Sequence, residues 1–105
     1  MRAVTIDTRN NLVIGDFPID LAWLQEQVGG HIEAVHIISP GVVMYINNEG
    51  GVRHLLPNLI ATALYRDLIC GDVVICGYDE EGDDVDIPES AIQEIFKKVR
   101  ARSNA

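Results

Sequence analysis

Asp72-Val73-Val74-Ile75-Cys76-Gly77-Tyr78 is the stretch on which the fold turns: from Val73 to Cys76 four consecutive apolar residues leave no polar face. Successive side chains of a strand point to opposite sides of its sheet, so a half-solvated strand alternates apolar and polar residues. An unbroken run predicts a central strand covered on both faces, the best-buried strand of its sheet. The neighbours of that strand have to come from elsewhere in the chain. Extended runs at 2–7 and 12–16 are divided by the turn-prone Thr8-Arg9-Asn10-Asn11 and predict a hairpin. Runs at 31–38 and 42–47, rich in Val, Ile and Tyr and separated by Ser39-Pro40-Gly41, predict a second. After the turn Asn47-Asn48-Glu49-Gly50-Gly51, residues 52–56 read as a further short strand, so that strands three to five form a meander.

Three segments carry helical spacing. Within 18–28, Leu21, Leu24 and Val28 recur at i, i+3 and i+7, Asp20 stands near the start and Gly29-Gly30 closes about three turns, with Trp23 as a core or rim aromatic. Within 58–66, Asn58 is a good N-cap ahead of the pairs Leu59/Ala63 and Ile60/Leu64. The last helix, 88–102, repeats Ile92, Ile95, Phe96 and Val99, with Pro88 in its first turn. The expected fold is α+β: one domain over 1–105, a mostly antiparallel sheet of five to six strands, two to three helices, and the C-terminal amphipathic helix packed on the sheet.

The chain has 105 residues, 48% hydrophobic, with 8 Lys+Arg against 16 Asp+Glu and a net charge of −8. A chain of this length buries roughly 60 to 70% of the surface its unfolded form exposes, enough for a core without disulfides or metals. Few bases argue against direct nucleic-acid or anionic-membrane binding, both of which need Lys and Arg to neutralise phosphates. Four bases against sixteen acids give residues 1–96 a charge of −12, whereas the last nine carry +4; acids at a helix start and bases at its end account for part of that contrast. No run approaches the ~20 apolar residues of a membrane span and no signal-peptide run opens the chain, so a cytoplasmic location is expected. On one extended segment Cys70 and Cys76 would lie ~20 Å apart, beyond the ~7 Å a disulfide tolerates, and both read as reduced core-filling residues.

Catalytic signatures are missing: there is no phosphate-loop motif, no dinucleotide fingerprint, no nucleophile elbow and no His-Glu-x-x-His. His31, His36 and His54 lack structural-zinc spacing with the cysteines, and the acidic loop 79–87, with six acids in the eight residues from Asp79, lacks the glycine and acid positions of an EF-hand. No metal and no cofactor are expected. What remains is a polar constellation around one turn and the following helix: Asn47, Glu49, Gly50 and Gly51, then Arg53 and His54, then Asn58, Thr62 and Asp72. Glycines would let backbone N–H groups approach a ligand, Arg53 and His54 would supply cationic heads, and the start of the Asn58 helix would suit an anion. A well-built turn and cap uses the same residues.

The chain also resembles a family. Val28-Gly29-Gly30-His31-Ile32-Glu33, Tyr45-Ile46-Asn47-Asn48-Glu49-Gly50, Leu56-Pro57-Asn58-Leu59-Ile60-Ala61-Thr62 and Gly71-Asp72-Val73-Val74-Ile75-Cys76-Gly77 look like its successive signatures, over about 21–77. It is domain-of-unknown-function family 3846, seen in bacteriophage, plasmid and other bacterial proteins. Asn48, Gly51 and Asp72 depart from its pattern, which commonly has an acid, a lysine and a proline there. The resemblance implies a small α+β fold and an accessory gene of a mobile element, and it brings no catalytic residues.

Three readings follow. The leading one is a non-enzymatic binding protein, a phage or mobile-element accessory with an anti-defence role, that sequesters a small anionic or nucleotide-like ligand through 47–54 and the Asn58 helix start. The alternative is an acidic inhibitor that presents Asp79, Glu80, Glu81, Asp83 and Asp84 to a basic host protein as a mimic of DNA phosphates. The third, an enzyme, lacks a nucleophile and base pair. Two further expectations attach to these readings: the sheet edges and the amphipathic last helix predict a homodimer or higher closed oligomer, and neutralising the acidic loop, taken as solvated, leaves the fold intact.

Overall fold

The computed structural model describes residues 1–103. The central run forms strand β5 (Val73–Tyr78), and the other elements are arranged by it: β1 (Arg2–Ile6), β2 (Leu12–Asp16), α1 (Leu21–Val28), β3 (Ile32–His36), β4 (Val42–Asn47), α2 (Leu59–Tyr65), β6 (Asp84–Val85) and α3 (Glu89–Ser103). The sheet runs β2-β1-β5-β4-β3, with β6 added on β5, and every pairing is antiparallel. This is the expected α+β architecture.

Val73 and Ile75 of β5 face one side of the sheet with Val4, Ile6 and Met44, and that side is covered by Ile60, Ala61 and Leu64 of α2 and Ala91, Ile92 and Ile95 of α3. Val74 and Cys76 face the other with Ala3, Val43 and Tyr45, under Leu24 of α1. Val73 to Cys76 are at most 1% exposed, which is why their sequence shows no alternation. Each such aliphatic side chain removed from water contributes about 1.5–3 kcal/mol. Helices on both faces are thus required by the composition of a single strand.

Local signals set most element ends. The Asp20 carboxylate accepts the Trp23 N–H at 2.8 Å, and Gly29 closes α1 in the left-handed region at φ 80°. This helix is shorter than the three turns expected, because residues 18–19 lie before the Asp20 cap; Trp23 stacks on Phe17 at 5.3 Å as a rim aromatic. The first hairpin turn is held by Asp7, whose carboxylate accepts from the Arg9 and Asn11 N–H groups and from the Asn11 side chain. The hydrogen bond from that side chain, first among several, holds the Asp7 pKa below its ordinary value. On α3, Phe96 lies outside the apolar stripe at 41% exposure, and Ala91 takes its place in the core.

One expected strand does not form. Residues 52–56 carry Val52 and Leu56 at 78% and 67% exposure, and Arg53 and His54 sit in tight turns, bonded through their N–H groups to the carbonyls of Glu49 and Gly51. The reason is saturation: β4 pairs with β3 on one edge and β5 on the other, so a following strand has no partner left. The meander ends after β4, and a single bridge, Pro57 with Cys70, marks where the segment passes the sheet. The acidic loop departs in the opposite direction, since Asp84 and Val85 pair with Tyr78 and Gly77. Gly77 is needed for this: a Cβ there would stand 2.3 Å from the Asp86 carbonyl oxygen.

Asn58 ties these parts together. It is fully buried; its amide donates at 3.0 Å to the carbonyls of Ile6 and of Gly71, and its oxygen accepts the Ala61 N–H at 3.0 Å. The Asn58→Ala variant strips partners from three buried backbone groups, each costing about 1–3 kcal/mol when left unpaired. Urea denaturation is expected to show a loss of at least about 3 kcal/mol, and Asn58→Asp, which keeps the cap but sets a buried carboxyl group against the Ile6 and Gly71 carbonyl oxygens, a loss no smaller. Unchanged stability in Asn58→Ala would contradict this role.

Candidate functional site

The predicted constellation separates into two groups. Asn58 and Thr62 belong to the frame: the Asn58 amide is fully engaged, and the Thr62 hydroxyl accepts the Ile69 N–H at 3.0 Å while donating to the Ile69 carbonyl at 3.3 Å. An anion at the start of α2 would compete with the Asn58 side chain for the Ala61 N–H. The second group is the turn. Asn47 is buried, donating to the Val28 carbonyl and accepting the Glu49 N–H, and Glu49 pairs with Arg53 at 3.6 Å with both side chains about half exposed. Such a pair contributes little net energy. His54 is exposed, at φ 57°. Gly50 and Gly51 are absent from the positive-φ residues; Gly50 is instead required because a Cβ would meet the Cys70 carbonyl oxygen at 2.6 Å. Asp72 accepts the Thr8 N–H at 3.1 Å. Asn47, Gly50 and Gly51 do line a hollow with Leu68 and Cys70, but at about 190 Å³ it is below the ~300 Å³ at which ligand pockets begin.

The acidic segment is an ordered hairpin. Asp79 accepts the N–H groups of Glu81 and Asp83, each at 2.9 Å, and its own N–H donates to the Asp83 carbonyl. Carboxylate oxygens of Asp79, Glu81 and Asp83 come within 4.8 Å of one another; the Asp79 carboxylate is already occupied by the turn. Asp84 faces inward, accepting the Tyr45 hydroxyl at 2.5 Å and the Cys76 thiol at 3.6 Å. Burial first, and then the Asp84 carboxylate, raises both acids: the Tyr45 phenol is held well above its ordinary value and the Cys76 thiol is pushed up to about 12. Both cysteines are free, as expected, and the Cys76 thiol stays neutral. Asp79 and Asp84 thus hold the hairpin through a single acceptor oxygen each, which an Asn would retain, and Glu80, Glu81 and Asp83 are exposed.

A further concavity lies where the sequence pointed to nothing. A cleft of about 590 Å³ opens between the turn after β3, the end of α2 and residues 90–98 of α3. Buried Ile37, Leu64 and Ala91 contribute its apolar part, and the polar groups around it are Ser39, Tyr65, Arg66, Ser90, Glu94 and Lys98. His36 borders it through β3, although its ring packs edge-on against Tyr78 at 5.4 Å. Among the described residues neither Arg66, Lys98 nor Glu94 is in an ion pair, and Arg9, Lys97 and Arg100 elsewhere on the chain are likewise unpaired. Two of the four non-glycine residues with positive φ stand on its rim, Ile38 at 67° and Arg66 at 66°. A β-branched residue in that region is strained by about 1–3 kcal/mol, a cost usually met at ligand sites. Arg66 adopts it as the C-cap of α2, its N–H donating to the Thr62 carbonyl, which aims the residue away from the helix. Sequence reasoning missed the cleft because its charged residues come from α2 and α3, 28 residues or more apart. The one local signal was an arginine ending a helix where glycine or asparagine is usual.

An all-antiparallel sheet with helices on both faces defines a small α+β domain. The model of the family described as Domain of unknown function (DUF3846) matches residues 1–100, well beyond the 21–77 stretch that carries the resemblance, and the chain belongs to that family. No curated protein and no solved structure matches it. Among the described residues no helix is long and apolar enough to cross a membrane.

The Tyr45–Asp84–Cys76 cluster predicts an alkaline limit. In the unfolded chain the thiol and phenol ionise near their ordinary values of 9 and 10, whereas the folded protein holds both protons longer. Above about pH 9 the unfolded state therefore binds fewer protons, and stability falls as pH rises. Denaturation between pH 7 and 11 is expected to show this decline, and Tyr45→Phe, besides losing about 1–3 kcal/mol at pH 7 from the unpaired carboxylate, to flatten it. A wild-type stability independent of pH over that range would contradict the account.

Proposed function

We propose that this protein is a non-enzymatic binding protein that takes a small anionic, nucleotide-sized ligand in the cleft between α2 and α3. The observation that carries the reading is the pair Arg66 and Lys98, two cations that line one concavity of about 590 Å³ and have no acidic partner among the described residues, on a chain of net charge −8. Ion pairing acts at short range, within a Debye length of about 8 Å at physiological salt, so a local positive site survives the overall negative charge. The apolar part of the cleft and its hydroxyl groups suit a ligand with a ring as well as a charge. As the product of a mobile-element accessory gene it would act by sequestration, withholding a host signal or metabolite in an anti-defence role.

The ordered acidic hairpin favours a second reading, the inhibitor that presents carboxylates to a basic partner. With the turn fixed by Asp79, Glu80, Glu81 and Asp83 are displayed without the ordering cost of a flexible loop.

Mass spectrometry of denatured protein for a co-purifying small molecule, followed by calorimetry, tests the first reading. Arg66→Ala and Lys98→Ala are each expected to weaken binding roughly ten- to a hundredfold, the equivalent of about 1.5–3 kcal/mol for a charge-assisted contact. Arg53→Ala should bind like wild type, as should a variant combining E80Q, E81Q and D83N. Loss of binding in Arg53→Ala with wild-type affinity in the other two would return the site to the 47–54 turn.

A further inference from the structure

We infer that Glu94 makes the cleft selective for a ligand that carries its anionic group at one end and hydroxyl groups in its middle, as a ribonucleoside monophosphate does. The inference rests on the cleft reading and adds to it the role of its one carboxylate. Ser90, Glu94 and Lys98 recur at i, i+4 and i+8 on α3 and all three line the cleft. At ~1.5 Å rise per residue they set out a hydroxyl, a carboxylate and an ammonium over about 12 Å, one helical turn apart. The spacing of Glu94 and Lys98 is that of a helix-surface ion pair, yet the two are not paired, and Glu94 is half-buried. A half-buried carboxylate with no donor among the described residues is free to accept hydrogen bonds from a ligand. A ligand anionic along its whole length, such as a polyphosphate or a dicarboxylate, would place negative charge against it. A phosphorylated ribose instead sets its phosphate by Lys98 and Arg66, its vicinal hydroxyls as donors to the Glu94 carboxylate, and its base against Tyr65 and the apolar part of the cleft. Glu94 acts here as a specificity determinant, and no bond is made or broken.

Calorimetry with three probes tests this: a ribonucleoside 5′-monophosphate, its 2′,3′-dideoxy counterpart and inorganic phosphate. Wild-type protein is expected to bind the ribose form at least tenfold more tightly than the dideoxy form, since hydrogen bonds to a charged acceptor are lost. In Glu94→Gln that preference should shrink to within about threefold while phosphate binds no more weakly, and Glu94→Asp should keep part of it. Equal binding of the two nucleotides by wild type, or a preference that survives Glu94→Gln, would overturn the role of Glu94 and leave the cleft standing. Failure of all three probes to bind at about 10 mM would overturn both.

Discussion

Every larger feature of this protein follows from the burial of β5 on both faces. A strand whose four central residues are all apolar cannot be left half-solvated, and an antiparallel sheet built around it must be covered twice. The chain meets the requirement with α1 on one side and α2 and α3 on the other. Two helices sharing one face must diverge somewhere, and the gap between the end of α2 and the middle of α3 is the cleft. The cleft is thus a consequence of how the core is closed.

The same constraint explains why conspicuous polar residues are frame rather than site. The segment between β4 and β5 has to leave the sheet, cross its face as α2 and return, and its backbone groups need partners on the way. Asn58 and Thr62 supply them, one bonding to β1 and the Gly71 turn, the other to Ile69. Asn47 does the same for the end of α1 through the Val28 carbonyl. Among the described residues no buried side-chain polar atom lacks a partner, so the frame has no spare donor to offer a ligand. The proposed ligand chemistry falls to side chains at the surface that the frame does not use, and Arg66, Glu94 and Lys98 are of that kind.

The parts of the fold legible in the sequence were those set within a few residues. The β5 run, the first two hairpins, and the caps Asp20 and Asn58 all depend on local periodicity or on a side chain reaching three residues along its own chain. Residues 52–56 were misread because pairing capacity is not local: both edges of β4 were already taken by β3 and by a strand 26 residues beyond its end. Asp84 was hidden by its company, since five acids around it made the whole run look solvated while its own carboxylate reached Tyr45 and Cys76. The cleft was out of reach for a related reason. Its charged residues lie on two helices that are brought together only after the sheet has ordered itself.

The central claim, that the ligand surface is the gap left where α2 and α3 close over β5, is tested most directly by mapping backbone amide chemical shifts during titration with a ribonucleoside monophosphate. The account predicts perturbations concentrated at Ser39, Arg66, Ser90, Glu94 and Lys98, with the amides of β5 and of residues 47–54 unmoved. Shifts concentrated at residues 47–54, with the α2–α3 gap silent, would contradict it.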